Sequence, residues 1–142
     1  MSWFAPAVRK GSAKKRQGLS MPKPAALAER PIQRANIELL EGLGCYAVHV
    51  PNGSHLAGDI VARAKQMAAL KKDGVRPGFP DLLVIDRRAP RIGVIEVKRE
   101  GRETLDPDQI WWRDELQRLG VPWALVNTPD GSAAALRMWG WR

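Results

Sequence analysis

Residues 81–98 read DLLVIDRRAPRIGVIEVK. Two β-branched, apolar runs, Asp81 to Asp86 and Ile92 to Lys98, flank a polar stretch that contains Pro90. Runs of this length and composition, bounded by turn residues, predict strands. The joining segment, 87–91, is too short for a crossover, so the two strands are expected to be antiparallel neighbours. The first has an uninterrupted apolar middle, which predicts cover on both of its faces.

Downstream, Pro107 to Leu119 reads as a helix with Trp112, Leu116 and Leu119 as its inward stripe. Gly120 and Pro122 stop it, and Pro122 to Val126 predicts a strand that the crossover lets run parallel to the one ending at Lys98. Residues 131–139 suit a last helix. Upstream, Ile32, Ala35, Leu39, Leu40 and Leu43 fall at helical spacing between Pro31 and Leu43, with Gly44 placed to end the helix. Cys45 to Val50 comes next as a strand, broken by Pro51-Asn52-Gly53. A second helix, Asp59 to Lys72, has a weak, Ala-rich apolar face, with Asp59 as its cap and Gly74 past its end. The expected architecture is α/β, a small mixed sheet flanked by helices.

The 142 residues fit one domain, able to bury a core without staples. A single cysteine, Cys45, excludes an internal disulfide and fits a reducing, cytoplasmic setting; its reading is a small buried residue. No apolar run reaches the roughly 20 residues of a membrane helix, and the basic N-terminus lacks the apolar core of a signal peptide. The net charge of +8 favours a polyanionic partner, nucleic acid first. Arg9, Lys10, Lys14, Lys15, Arg16 and Lys23 stand in residues 1–28 with no acidic residue among them. That segment reads as a basic, flexible tail, and residues 29–142 as the domain. Trp3 and Phe4 stand out in it as large aromatic residues.

Three polar residues stand at the ends of the central strands. Side chains two apart on a strand share a face, so Glu96 and Lys98 do. The hairpin brings Asp81 to the same end. A fold symmetric about Ala89 sets Asp81 opposite Val97; a one-residue offset sets it opposite Glu96 or Lys98, and the pattern alone leaves both open. Two converging carboxylates make a hard-oxygen site suited to Mg²⁺ or Mn²⁺. Such an ion neutralises charge on a phosphodiester, and a neighbouring lysine holds water or stabilises developing charge. The plain alternative is an ordinary Glu–Lys pair at a strand end.

Gly78-Phe79-Pro80-Asp81, then Glu96-Val97-Lys98, then Gln109 opening a helix, resembles the VRR-NUC family of the PD-(D/E)xK nucleases. Pro51-Asn52-Gly53, Ala69-Leu70-Lys71 and Gly74-Val75-Arg76-Pro77-Gly78 are similar to that family's approach to its aspartate. Gly93 to Lys98, Leu105 to Gln109 and Leu116 to Gly120 are similar to the family's segments downstream of that aspartate. The resemblance covers roughly 29–127. It implies a restriction-endonuclease-like core, metal ligation by Asp81, Glu96 and the carbonyl of Val97, and a catalytic role for Lys98. A further acidic residue on the first helix is implied; Glu29 fits by its spacing to Gln33, with Glu38 and Glu41 as rivals. Gln109 is placed near the site by the resemblance, and Asp106-Pro107-Asp108-Gln109 also reads as a capping box.

Arg63, Lys65, Lys71, Lys72 and Arg76 read as phosphate contacts beside such a site. His49 and His55, six residues and a turn apart, read as loop residues. The resemblance implies a DNA endonuclease of replication or repair, in phage or prophage settings. Its expected substrates are branched or structured DNA, such as four-way junctions or flaps. Compact members are expected as homodimers, for which Trp111, Trp139 and Trp141 offer apolar surface. A non-catalytic DNA-binding module of the same fold is the alternative reading, and a basic adaptor protein a third.

Overall fold

The computed structural model describes residues 27–52 and 56–142. Nearly all of the basic segment, with Trp3 and Phe4, and also His55 lie outside the described residues.

Helix α1 (Glu29–Gly42) begins two residues before Pro31, which sits in the first turn, where a missing N–H costs nothing. Its buried stripe is Ile32, Asn36 and Leu40. Asn36 is fully buried yet satisfied: its Nδ2 donates to the carbonyls of Ile32 and Thr128, each at 2.8 Å, and its Oδ1 accepts from the amide of Ser132 at 2.8 Å. One polar side chain thus fastens α1 to the start of helix α4 (Gly131–Met138), a role that no apolar period reveals.

Strand β1 (Cys45–His49) leads to helix α2 (Ile60–Lys72), capped as expected by Asp59, whose side chain accepts from the Ala62 amide at 2.8 Å. No residue of α2 is buried. Strands β2 (Leu82–Asp86) and β3 (Ile92–Val97) form the expected hairpin. Helix α3 (Pro107–Arg118) then crosses over to strand β4 (Trp123–Val126). The sheet order is β1-β2-β3-β4, with β4 parallel to β3 and the other pairs antiparallel.

Helices α1 and α4 cover one face, around Ile32, Leu40, Leu82, Val84, Ile95, Val97, Val126 and Leu136. On the opposite face Val94 and Leu116 are buried, and α3 lies over the β3–β4 side. Towards β1 that face is open. Leu83 and Ile85 are only half-buried, because their partners across the sheet, Val48 and Tyr46, stand in solvent. The expectation of cover on both faces of β2 is therefore not met: only the face of Leu82, Val84 and Asp86 is buried. Leu119 also departs from its expected place: it caps α3 beyond the last inward turn and is exposed. Of the tryptophans offered as free surface, Trp141 is buried and Trp139 packs against the core, while Trp111 is exposed.

The buried polar end of β2 is Asp86. Its carboxylate accepts from Arg91 at 2.8 Å and from Arg142 at 2.9 Å, and Arg142 holds it well below the usual carboxylate range. This ion-paired end of the sheet is the one remote from Asp81.

Candidate active site

The β2–β3 register settles which face Asp81 takes. Leu82 pairs with Ile95 and Leu83 with Val94, so the same register continued by one residue sets Asp81 against Glu96. The turn is asymmetric: Asp86 N donates to Arg91 O at 3.0 Å, which selects the one-residue offset. Asp81, Glu96 and Lys98 therefore share the face that carries α3.

Asp81 lies just before β2, and its Oδ2 accepts from the amide of Val97 at 2.8 Å. Its carbonyl accepts from Val50 N at 2.8 Å, which ties the end of β1 to the same corner. His49 is a strand residue rather than a loop residue; its Nδ1 lies 3.1 Å from that carbonyl and 3.2 Å from Gln33 Nε2, and one ring nitrogen serves one of them at a time. Lys98 comes just after β3, with its backbone held by a bond from its amide to Val126 O at 2.9 Å. Its Nζ stands 3.7 Å from Glu96 Oε1.

Gln109 joins these groups. Its own amide donates to Asp106 Oδ1 at 2.9 Å, and Asp106 N donates back to Gln109 Oε1 at 3.0 Å, completing the capping box. The same Oε1 accepts from Lys98 Nζ at 3.0 Å, while Nε2 donates to Glu96 Oε1 at 2.6 Å. The capping role and the site role of Gln109 belong to a single side-chain placement.

The lead-in to Asp81 is pinned against α3. Gly78 has φ +79°, and a Cβ there would meet Asp108 atoms at 2.5–2.6 Å, so both conformation and space require glycine. The next residue, Phe79, packs edge-on to Trp112 at 5.0 Å. Asp81 and Gln109 are thereby held at a fixed separation by the fold around Gly78.

Glu29, Asp81, Glu96, Lys98 and Gln109 line one pocket of about 220 Å³, together with Asn52 and Asp106. Glu38 and Glu41, the rivals of Glu29, do not line it. Asn52, which the sequence marks only as a turn residue, donates its amide to Phe79 O, and this bond brings it to the pocket wall.

Burial dominates the electrostatics. It pushes the Glu96 carboxyl up to about 8, reinforced by the charge of Asp81 and opposed by Lys98. Burial also raises Asp81, opposed by the Val97 N–H and reinforced by Glu29. Two crowded, desolvated carboxylates with one lysine leave the corner short of positive charge, a deficit that a divalent cation with oxygen preference fits. Among the described residues no three His, Cys, Asp or Glu side chains converge at shared ligand spacing. Asp81 and Glu96 are the carboxylates at this corner that could serve as oxygen donors to a cation.

The basic residues do not enter this pocket. Arg63, Lys65, Lys71 and Lys72 are exposed along α2, with Arg63 Nε donating to Gly58 O at 2.9 Å. Arg76 is exposed beyond α2 and borders a neighbouring cavity.

The VRR-NUC domain model matches residues 27–129, which is 103 of the 142 residues and spans α1 to β4. The chain belongs to the VRR-NUC family. This makes it a member of a nuclease domain family whose substrate is DNA and which generally uses divalent metals. The match takes in every residue of the pocket, and the mixed four-stranded sheet with its flanking helices is consistent with the VRR-NUC fold. No curated protein and no solved structure matched the chain. No helix among the described residues is long and apolar enough to cross a membrane.

Proposed function

We propose that the protein is a Mg²⁺- or Mn²⁺-dependent DNA endonuclease, with Asp81, Glu96 and the carbonyl of Val97 as the metal-binding set. The observation that carries this reading is the Gln109 amide, bonded at once to Glu96 and Lys98 in the pocket that Asp81 and Glu29 share. A bound divalent ion supplies charge neutralisation at the phosphodiester. Lys98, held by Gln109, is positioned to orient the attacking water or to offset charge developing on phosphate oxygens. Gln109 bridges Lys98 and Glu96, whose charged ends lie 3.7 Å apart, and Glu29 lines the same pocket and acts on Asp81. The phosphorus–oxygen bond breaks as water adds, leaving a phosphate and a hydroxyl end.

The preferred substrates under this reading are branched or structured DNA, flaps and four-way junctions. Arg63, Lys65, Lys71, Lys72 and Arg76 contact phosphates outside the pocket, and residues 1–28 add affinity as a basic arm. Junction cutting calls for a homodimer, for which Trp111 is exposed aromatic surface. Replication or repair work in the cytoplasm fits this reading.

The test uses labelled single-stranded, duplex, flap and four-way-junction DNA, with Mg²⁺, with Mn²⁺ and with EDTA. Metal-dependent cleavage, lost in Glu96→Gln, is expected. Binding to all of these without cleavage of any would instead favour a DNA-binding module.

A further inference from the structure

Next to the carboxylate pocket lies a second cavity of about 380 Å³. Its walls include Val50, Val75, Phe79 and Trp112, with Asn52 and Arg76 as polar members. Phe79 and Asn52 line both cavities, so the two share a wall two residues from Asp81. The chemistry changes across that wall. One side holds carboxylates and Lys98; the other is aromatic and aliphatic, with Arg76 as its basic member and Asp73 as its acidic one.

We infer that this second cavity receives an unpaired nucleobase of the strand whose phosphate lies over Asp81 and Glu96. The inference rests on the nuclease reading and adds a substrate requirement to it. A polymer that alternates apolar rings with anionic phosphates matches a largely apolar, aromatic-lined cavity bordered by Arg76 and adjoining the carboxylate pocket. Asn52, fixed by donating its amide to Phe79 O, stands on the wall between the two cavities and adds a polar group to an otherwise apolar lining. A paired base cannot reach the cavity without unstacking, which costs free energy that an unpaired base at a flap or junction does not spend. Cutting beside an unpaired nucleotide is therefore favoured.

The test pairs cleavage with binding. Flap substrates identical except for one abasic position, moved nucleotide by nucleotide past the cut, are compared by kcat/KM. One position should show a loss of about tenfold, in keeping with a base stacked on an aromatic ring. Val75→Phe fills the cavity and leaves the carboxylate pocket intact, and it should erase the difference between intact and abasic substrates at that position. Independently, 2-aminopurine at the same unpaired position, with EDTA present, should change emission on binding wild type and not on binding Val75→Phe.

If no substrate is cut while the 2-aminopurine response and its loss persist, the nuclease reading falls and the base site stands. If cleavage is metal-dependent but no abasic position matters and the probe does not respond, the base site falls and the nuclease stands. If the probe responds only after residues 1–26 are removed, the cavity belongs to that segment of the chain, and the inference is overturned.

Discussion

Glu96→Gln separates the electrostatics of the corner from every other titration in the molecule. In metal-free protein Glu96 holds its proton up to about pH 8, while in the unfolded chain it loses it near the ordinary value of 4.5. Between those values the folded state binds more protons than the unfolded one. Stability is therefore highest below the unfolded value and falls as pH rises towards 8. Asp81, also raised, acts in the same direction. Asp86 is lowered, so its contribution is lost only at acid pH, outside this window. The limit is about 1.36 kcal/mol per pH unit, or about 4 kcal/mol from pH 5 to 8. Water penetration and local relaxation at this partly open pocket reduce this to roughly 2 kcal/mol, or about 5–8 °C in Tm for a domain of this size. The assay is thermal unfolding in EDTA at pH 5, 6, 7 and 8 for wild type and Glu96→Gln. Wild type should lose Tm across the series relative to the variant, and Mg²⁺ at pH 8 should restore wild type alone. Parallel curves in EDTA would show that Glu96 is not a desolvated carboxylate, and the electrostatic account of the corner would fail.

Lys98→Ala should lower the cleavage rate by about 10²-fold or more while changing DNA affinity little, since its contribution belongs to the transition state; normal cutting, or a loss of affinity alone, contradicts the role given to it. Gln109→Ala removes the acceptor shared by Lys98 and Asp106 N and the donor to Glu96, so it should slow cleavage about tenfold and cost about 1 kcal/mol of stability through the broken cap; paired kinetics and urea unfolding read both. Gly78→Ala meets backbone of α3 at φ +79°, and a loss of roughly 2 kcal/mol or more is expected in urea unfolding, with wild-type stability as the contrary result. Deleting residues 1–24 removes six basic residues and should flatten the salt dependence of DNA binding without changing which structure is preferred, as measured by anisotropy over a salt series.

The hairpin and the helix at Pro107 were legible because their residues state both the element and its ends: two β-branched runs around Pro90, and Asp106-Pro107-Asp108-Gln109. The face of Asp81 was not, because two turns that differ by one residue give opposite answers and only the Asp86–Arg91 hydrogen bond separates them. Asn36 is hidden for a different reason. An apolar pattern scores it as polar, whereas its partners lie at Thr128 and Ser132, beyond the reach of any local period. Leu119 and Trp141 exchanged expected places, since helix length decides the first and packing of the chain end against β1 and β2 the second. The gathering of Glu29, Asp81, Glu96, Lys98 and Gln109 was expected from resemblance, and it depends on Gly78 lying flat on α3, a close approach that spacing does not express.

Helix α2 buries none of its thirteen residues. Substitutions on such a surface usually change stability by no more than about 0.5 kcal/mol. Its exposed positions are therefore little constrained by folding, provided that Asp59 still opens the helix, whereas Ala62, Gln66, Met67 and Leu70 are half-buried and Gln66 is bonded to Ala57. Charges on this segment can be added, removed or moved between descendants with little loss of the folded state. The proposed active site, fixed by tight packing, is thus joined to a segment whose pattern of charge is free to diverge.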